Sequence, residues 1–94
     1  MKESNFPSWA KSNKTGRLKF MIRHLASFAS EEGHLVFLCR DAKLSVRGVS
    51  QAIDRGEFTF QMADKLVKAA SVAGNPDVTV MNLLKPMESF KEDK

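Results

Sequence analysis

The stretch that most constrains this chain is LSVRGVSQAIDRG, Leu44 to Gly56, with the apolar segment HLVFLCRDA, His34 to Ala42, leading into it. A helix beginning at Ser45 and advancing about 100° per residue gathers Val46, Val49, Ala52 and Ile53 on one side. Arg47, Ser50, Gln51, Asp54 and Arg55 fall on the other. Such a helix is held by one face and offers, on the opposite face, a row of hydrogen-bonding side chains with no bulky hydrophobe among them. The rest of the chain must therefore supply an apolar surface under one side and leave the other open.

The flanking segments carry the same helical period. Thr15 is a plausible N-cap for a helix running to about Ser30, with Leu18, Met21, Ile22, Leu25, Phe28 and Ala29 in one stripe and Lys19, Arg23 and Ser27 opposite. Gly33 interrupts it, and His34 to Ala42 form a second, short helix whose inner face is Leu35, Leu38, Cys39 and Ala42. Lys43 and Leu44 then connect to Ser45, which caps the third helix, and Gly56 ends it. Thr59 caps a fourth helix with Ala63, Leu66, Val67, Ala70 and Ala73 in its stripe, stopped by Gly74-Asn75-Pro76. Thr79 caps a last turn, VMNLL, before Pro86. No segment alternates with period 2 for more than a few residues, so the expectation is an all-α, compact bundle of about five short helices. Residues 1–14 have no period and contain Pro7, which marks a flexible basic arm; 15–86 form the domain and 87–94 a frayed tail. Phe6 and Trp9 are expected to fold back from that arm onto Phe20.

Ninety-four residues suffice for one domain with a modest core, not for a deep cleft between two. The lone Cys39 excludes an intrachain disulfide and fits a reducing cytoplasm. No run approaches the roughly 18 apolar residues of a membrane span, and MKESNFPSWAKSNK lacks the hydrophobic centre of a signal peptide, so a cytoplasmic protein is expected. The net charge of +4 is unevenly placed: residues 1–30 hold six basic side chains against one acidic, leaving nine against ten for the remainder. A basic N-terminal region on a near-neutral globule suits a polyanion such as nucleic acid. His24 and His34 each stand alone, Cys39 has no sequence-placed base, and paired carboxylates and glycine-rich phosphate loops are missing. An enzyme, a metal, a cofactor and a small-molecule substrate are accordingly not expected.

A helix, a tight connection and a second amphipathic helix with a polar outer face make the helix-turn-helix plan. The run AKLSVRGVSQAIDRGEFTFQMADKLVKAA resembles the Cro and phage-repressor helix-turn-helix family, in particular the Cro-like prophage regulators, most specifically in Leu44-Ser45 and Val49-Ser50-Gln51. The similarity covers about residues 18–86. It implies core positions at Leu38, Cys39, Ala42, Leu44, Val49 and Ala52, and base-facing positions at Ser45, Val46, Arg47, Ser50, Gln51 and Asp54. Two departures stand out. Lys43 stands at the turn position where the family usually has a glycine at positive φ, a conformation that would cost a lysine stability, and Leu35 replaces the glutamine that usually opens the second helix and bonds a phosphate.

The chemistry of the outer face matches that implication. Arg47 can bond guanine O6 and N7, Gln51 adenine N6 and N7, and Ser45 or Ser50 either base or phosphate. Lys11, Lys14, Arg17, Lys43 and Arg55 are the candidate phosphate contacts, which give affinity and salt dependence but no sequence preference. Asp54 repels phosphate unless it pairs with Arg47 or Arg55 or accepts from a cytosine amino group. The expected function is a sequence-specific double-stranded DNA-binding transcriptional regulator of repressor type, nucleoid-associated when bound. A homodimer on a palindromic operator follows, with Phe20, Val36, Phe37 and Phe90 as candidate interface residues. The alternative is a small interaction module, such as an antitoxin or anti-repressor, that binds a protein.

Overall fold

The longest apolar stripe in the sequence becomes the central helix. The computed structural model describes residues 6–88, and among them it contains six helices and no strand. In order these are α1 (Ser8–Lys11), α2 (Lys14–Ala29), α3 (Leu35–Ala42), α4 (Val46–Arg55), α5 (Phe60–Ser71) and α6 (Val80–Leu84). None of the described helices is long and apolar enough to cross a membrane. The chain is all-α, as the periodicity predicts, with one helix more than expected.

α2 buries Leu18, Met21, Ile22, Leu25 and Ala26, and packs against α1, α3, α4 and α5. Facing it are Leu38, Cys39 and Ala42 of α3, Val49, Ala52 and Ile53 of α4, and Ala63, Leu66 and Ala70 of α5. The alanines at these positions have no side chain beyond Cβ, so neighbouring helices can approach closely while the leucines fill the spaces between them. α6 closes the end of the core with Leu83 against α5. Phe58 is also buried, although it lies in the irregular link between α4 and α5 where no periodicity marks it. His24 is used structurally: its Nε2–H donates to the Pro76 carbonyl at 2.7 Å, tying the α5–α6 link to α2.

Caps set most of the boundaries. Ser45 Oγ accepts from Gly48 N at 3.0 Å, Thr59 Oγ1 from Met62 N at 3.2 Å, and Thr79 forms a reciprocal capping box with Asn82. The start of α2 differs from expectation. Asn13, not Thr15, is its N-cap, with Oδ1 accepting from Gly16 N at 2.7 Å. Asn13 has the extended backbone that capping needs, whereas Thr15 already lies inside the helix.

The flexible arm is the larger correction: residues 1–5 of it lie outside the described residues, and from Phe6 on the segment is docked. Pro7 takes the N-cap position of α1 at φ −67°, a value its ring already imposes. Ala10 is fully buried, Phe6 meets Phe20 at 4.8 Å between centroids, and Trp9 meets the same ring edge-on at 6.2 Å. The fold-back of both aromatics onto Phe20 is thus as expected. Gly16 permits the docking: a Cβ there would lie 2.5 Å from the Trp9 carbonyl oxygen and 3.2 Å from Ala10 Cα. α1 therefore sits directly on the first turn of α2.

Two stability predictions follow from backbone geometry. Glycine to alanine inside a helix ordinarily gains about 1 kcal/mol, but Gly16→Ala is expected to lower the melting temperature, with a red shift of Trp9 fluorescence as α1 lifts. Lys43 has φ 59° and ψ 42°, a left-handed conformation that costs an L-residue roughly 1 kcal/mol. Lys43→Gly is expected to raise the melting temperature by a few degrees, at about 4–8 °C per kcal/mol for a domain of this size. A fall would mean that the lysine side chain stabilises the turn by more than its strain.

Candidate nucleic-acid interface

The position of α4 follows from the three residues that join it to α3. Lys43 closes α3 in the left-handed conformation, its N–H donating to the Arg40 carbonyl at 3.1 Å, while Leu44 N–H donates to the Cys39 carbonyl at 2.9 Å. These bonds satisfy carbonyls that a helix end otherwise leaves unpaired. Leu44 packs against the core, and Ser45 turns extended at φ −80° and ψ 142° to cap α4. The chain thus reverses onto α4 without a glycine in the link. Gly48 lies in the first turn of α4, where a Cβ would stand 2.8 Å from Ser45 Oγ, so the cap and the bare backbone belong together.

Val49 and Ala52 are fully buried and Ile53 nearly so, which fixes the rotation of α4. Arg47, Gln51, Asp54 and Arg55 are exposed on its outer side, with Ser50 half-buried. Ser45 is also exposed; its oxygen accepts from Gly48, which leaves its hydroxyl hydrogen available to donate outward. Val46 belongs with this outer group, at 39% exposure, and not with the buried side on which its phase in the helix places it. It stands at the first position of α4, one turn before the fully buried Val49. Lys43 is exposed in the turn.

The basic residues divide. Lys14 runs its stem alongside the end of α4, where a Cβ on Gly56 would meet Lys14 Cγ, Cδ and Cε at 3.1–3.2 Å. Lys11 is exposed at the end of α1. Arg17 leaves the phosphate set: it is 4% exposed, and its Nε and Nη2 donate to the Lys11 carbonyl at 3.1 and 2.8 Å. Its Nη1 also donates to the Pro86 carbonyl at 3.4 Å, and the guanidinium lies 5.6 Å from the Phe6 ring centroid. A cation held inside by backbone carbonyls and a ring face joins both ends of the described chain. It is not presented to a ligand.

Two cations absent from the sequence-based set join the site through tertiary packing. Lys19 and Arg23, one turn apart on α2, share the walls of a cleft with Ser50 and Asp54 of α4. Their sequence signal was only a place on the polar side of α2; the crossing of α2 and α4 brings them beside the α4 face. Asp54 makes no ion pair among the described residues, so neither Arg47 nor Arg55 neutralises it.

The candidate interface residues are scattered. Phe20 is half-buried beneath Phe6 and Trp9, which removes it from an exposed patch. Val36 is exposed, while Phe37 is half-buried between the His34 ring and the Arg40 guanidinium, 5.0 Å from its centroid. Phe90 lies outside the described residues. The most exposed large apolar side chains are Val72 (90%), Phe60 (62%) and Val36 itself (54%), followed by Met81 (53%). Cys39 is a buried free thiol whose pKa burial pushes up, which disfavours the nucleophilic thiolate. No group of three His, Cys, Asp or Glu side chains among the described residues could hold a metal ion.

No protein family matches this chain, and neither does any curated protein or solved structure.

Substitution separates the two kinds of basic residue. Arg17→Met is expected to cost about 2–3 kcal/mol of stability in denaturant unfolding, through loss of charged hydrogen bonds and two stranded carbonyls. Lys14→Gln, whose head group lies at the surface, should change it by about 0.5 kcal/mol or less.

Proposed function

We propose that this protein is a sequence-specific double-stranded DNA-binding regulator of transcription, in which α3 and α4 act as a helix-turn-helix and α4 enters the major groove. The observation that carries this reading is the single-sided anchoring of α4. Its inner side is held by Val49, Ala52 and Ile53, and its outer side leaves Arg47 and Gln51 exposed beside a capped, glycine-containing first turn. A rigid helix with planar, bidentate hydrogen-bonding side chains on its free face fits base edges that present paired acceptors and donors. Lys43 and Arg55 at the two ends of α4, with Lys14 near its C-terminus and Lys19 and Arg23 alongside, supply positive charge toward the phosphates on either side. The resemblance to Cro-like prophage regulators agrees with this assignment and adds the repressor role. Two protomers on a palindromic site would double the readable sequence, since one short helix reads too few base pairs for useful specificity.

A second reading, a protein-binding module such as an antitoxin or anti-repressor, draws support from one observation. Val72, Phe60 and Met81 are large apolar side chains left exposed on elements other than α4. The same side chains serve equally well as contacts between two DNA-bound protomers.

Selection of bound sequences from a random duplex pool at two salt concentrations tests the proposal. An enriched palindrome is expected, with binding that weakens as salt rises, the logarithmic slope falling by about 0.9 for each phosphate contact. On that duplex, Arg47→Ala and Gln51→Ala should each cost about 1–3 kcal/mol and relax preference at one position. Absence of enrichment, together with a salt-insensitive complex with a protein, would favour the second reading.

A further inference from the structure

Beside the α4 face lies an open cavity of about 410 Å³, bordered by α2, the α2–α3 connection and α4. Its volume falls within the range of small-molecule sites, roughly 300–1,000 Å³. Ile22 and Ala26 of α2, Leu35 at the start of α3 and Ile53 of α4 give it apolar surface. Leu35 is notable because the first residue of a helix ordinarily faces water, and here it extends that surface instead.

The polar groups around the cavity are unequal in charge. Lys19 and Arg23 stand one turn apart on α2, and neither forms an ion pair among the described residues; Arg23 lies instead 5.7 Å from the Trp9 ring centroid. On the α4 side are the Ser50 hydroxyl and a single carboxylate, Asp54. His34 at the α3 end is bonded to Glu32. Two cations therefore face one carboxylate across an apolar cavity. A cationic guest meets net repulsion there, and a purely apolar one leaves Lys19 without an ionic partner and Arg23 with only the Trp9 ring. An anion with an apolar body answers both features.

We propose that this cavity binds a small amphipathic carboxylate, its body over Ile22, Ala26, Leu35 and Ile53 and its carboxylate on Lys19 and Arg23. Ser50 and Asp54 belong to α4, so an occupant shares that wall with DNA. Resting on the DNA-binding reading above, occupancy lowers affinity for the duplex. The cavity itself does not depend on that reading.

The first measurement is a methyl-resolved NMR titration of the full chain with 1-naphthoate, without DNA. Saturable shifts are expected at the Ile22, Ala26, Leu35 and Ile53 methyls, with a Kd on the order of 1 mM or tighter. 1-Naphthalenemethanol, which has the same body without the charge, should bind about tenfold more weakly. The double variant Lys19→Gln/Arg23→Gln, which also removes the Arg23 contact with Trp9, should stay folded with its melting temperature lowered by a few degrees at most and lose about tenfold in naphthoate affinity. Unsaturable shifts, shifts centred elsewhere, equal affinity for the alcohol, or an unchanged double variant would overturn the site. In a second measurement, naphthoate should weaken binding of the parent protein to its selected duplex. Naphthoate binding with unaltered duplex affinity would overturn the coupling, whereas naphthoate binding by a protein that selects no duplex would overturn the DNA reading and support the cavity.

Discussion

The apolar side of α2 is the interaction on which the rest of the molecule depends. Leu18, Met21, Ile22, Leu25 and Ala26 meet four other helices, so one sixteen-residue segment supplies the surface that orients α1, α3, α4 and α5. Each fully buried leucine or isoleucine contributes roughly 1.5–3 kcal/mol relative to exposure, and in a domain of this size few alternative surfaces could do the same. α4 has a short inner face, and it is held because Val49, Ala52 and Ile53 join the buried cluster to which the α2 stripe contributes, with α4 packed on α2 and α3. The outward presentation of Arg47 and Gln51 is a consequence of that burial, not of any contact those side chains make.

The second constraint is the αL residue at Lys43. It ends α3, lets Leu44 reach the core, and delivers Ser45 in the extended conformation a cap needs, all within three residues. A glycine would adopt the same turn with less strain. The lysine adds a positive charge at the entrance to α4, beside the face proposed to meet phosphates. Backbone strain and the proposed phosphate contact thus fall at one position.

Much of this was legible in the sequence because it depends on local rules. The caps at Ser45, Thr59 and Thr79 follow from side chains that bond their own backbone; the left-handed Lys43 did not, because a lysine carries no signal for positive φ and the resemblance only marked the position as one where glycine is usual. The aromatic fold-back was legible too, since Phe6 and Trp9 had few other places to bury and Phe20 broke the polar side of α2. What escaped was set by packing between distant segments. A short run with one proline and several polar residues reads as an arm; only the close approach over Gly16 and the Arg17 bonds to Lys11 and Pro86 make it a docked helix. The same bonds turn Arg17 from an apparent surface charge into an interior strut. Lys19 and Arg23 were invisible as partners of α4 because helix crossing, and not periodicity, brings them there.

The proposed seat of α4 in the major groove, with Arg47 reading guanine, can be tested by dimethyl sulfate footprinting of the selected duplex. The reagent methylates guanine N7 in the major groove and adenine N3 in the minor groove. Protection of guanine N7 within each half-site is predicted, with Arg47→Ala losing it at one guanine while protection of the others persists. Protection confined to adenine N3, or guanine protection unchanged by Arg47→Ala, would contradict the claim.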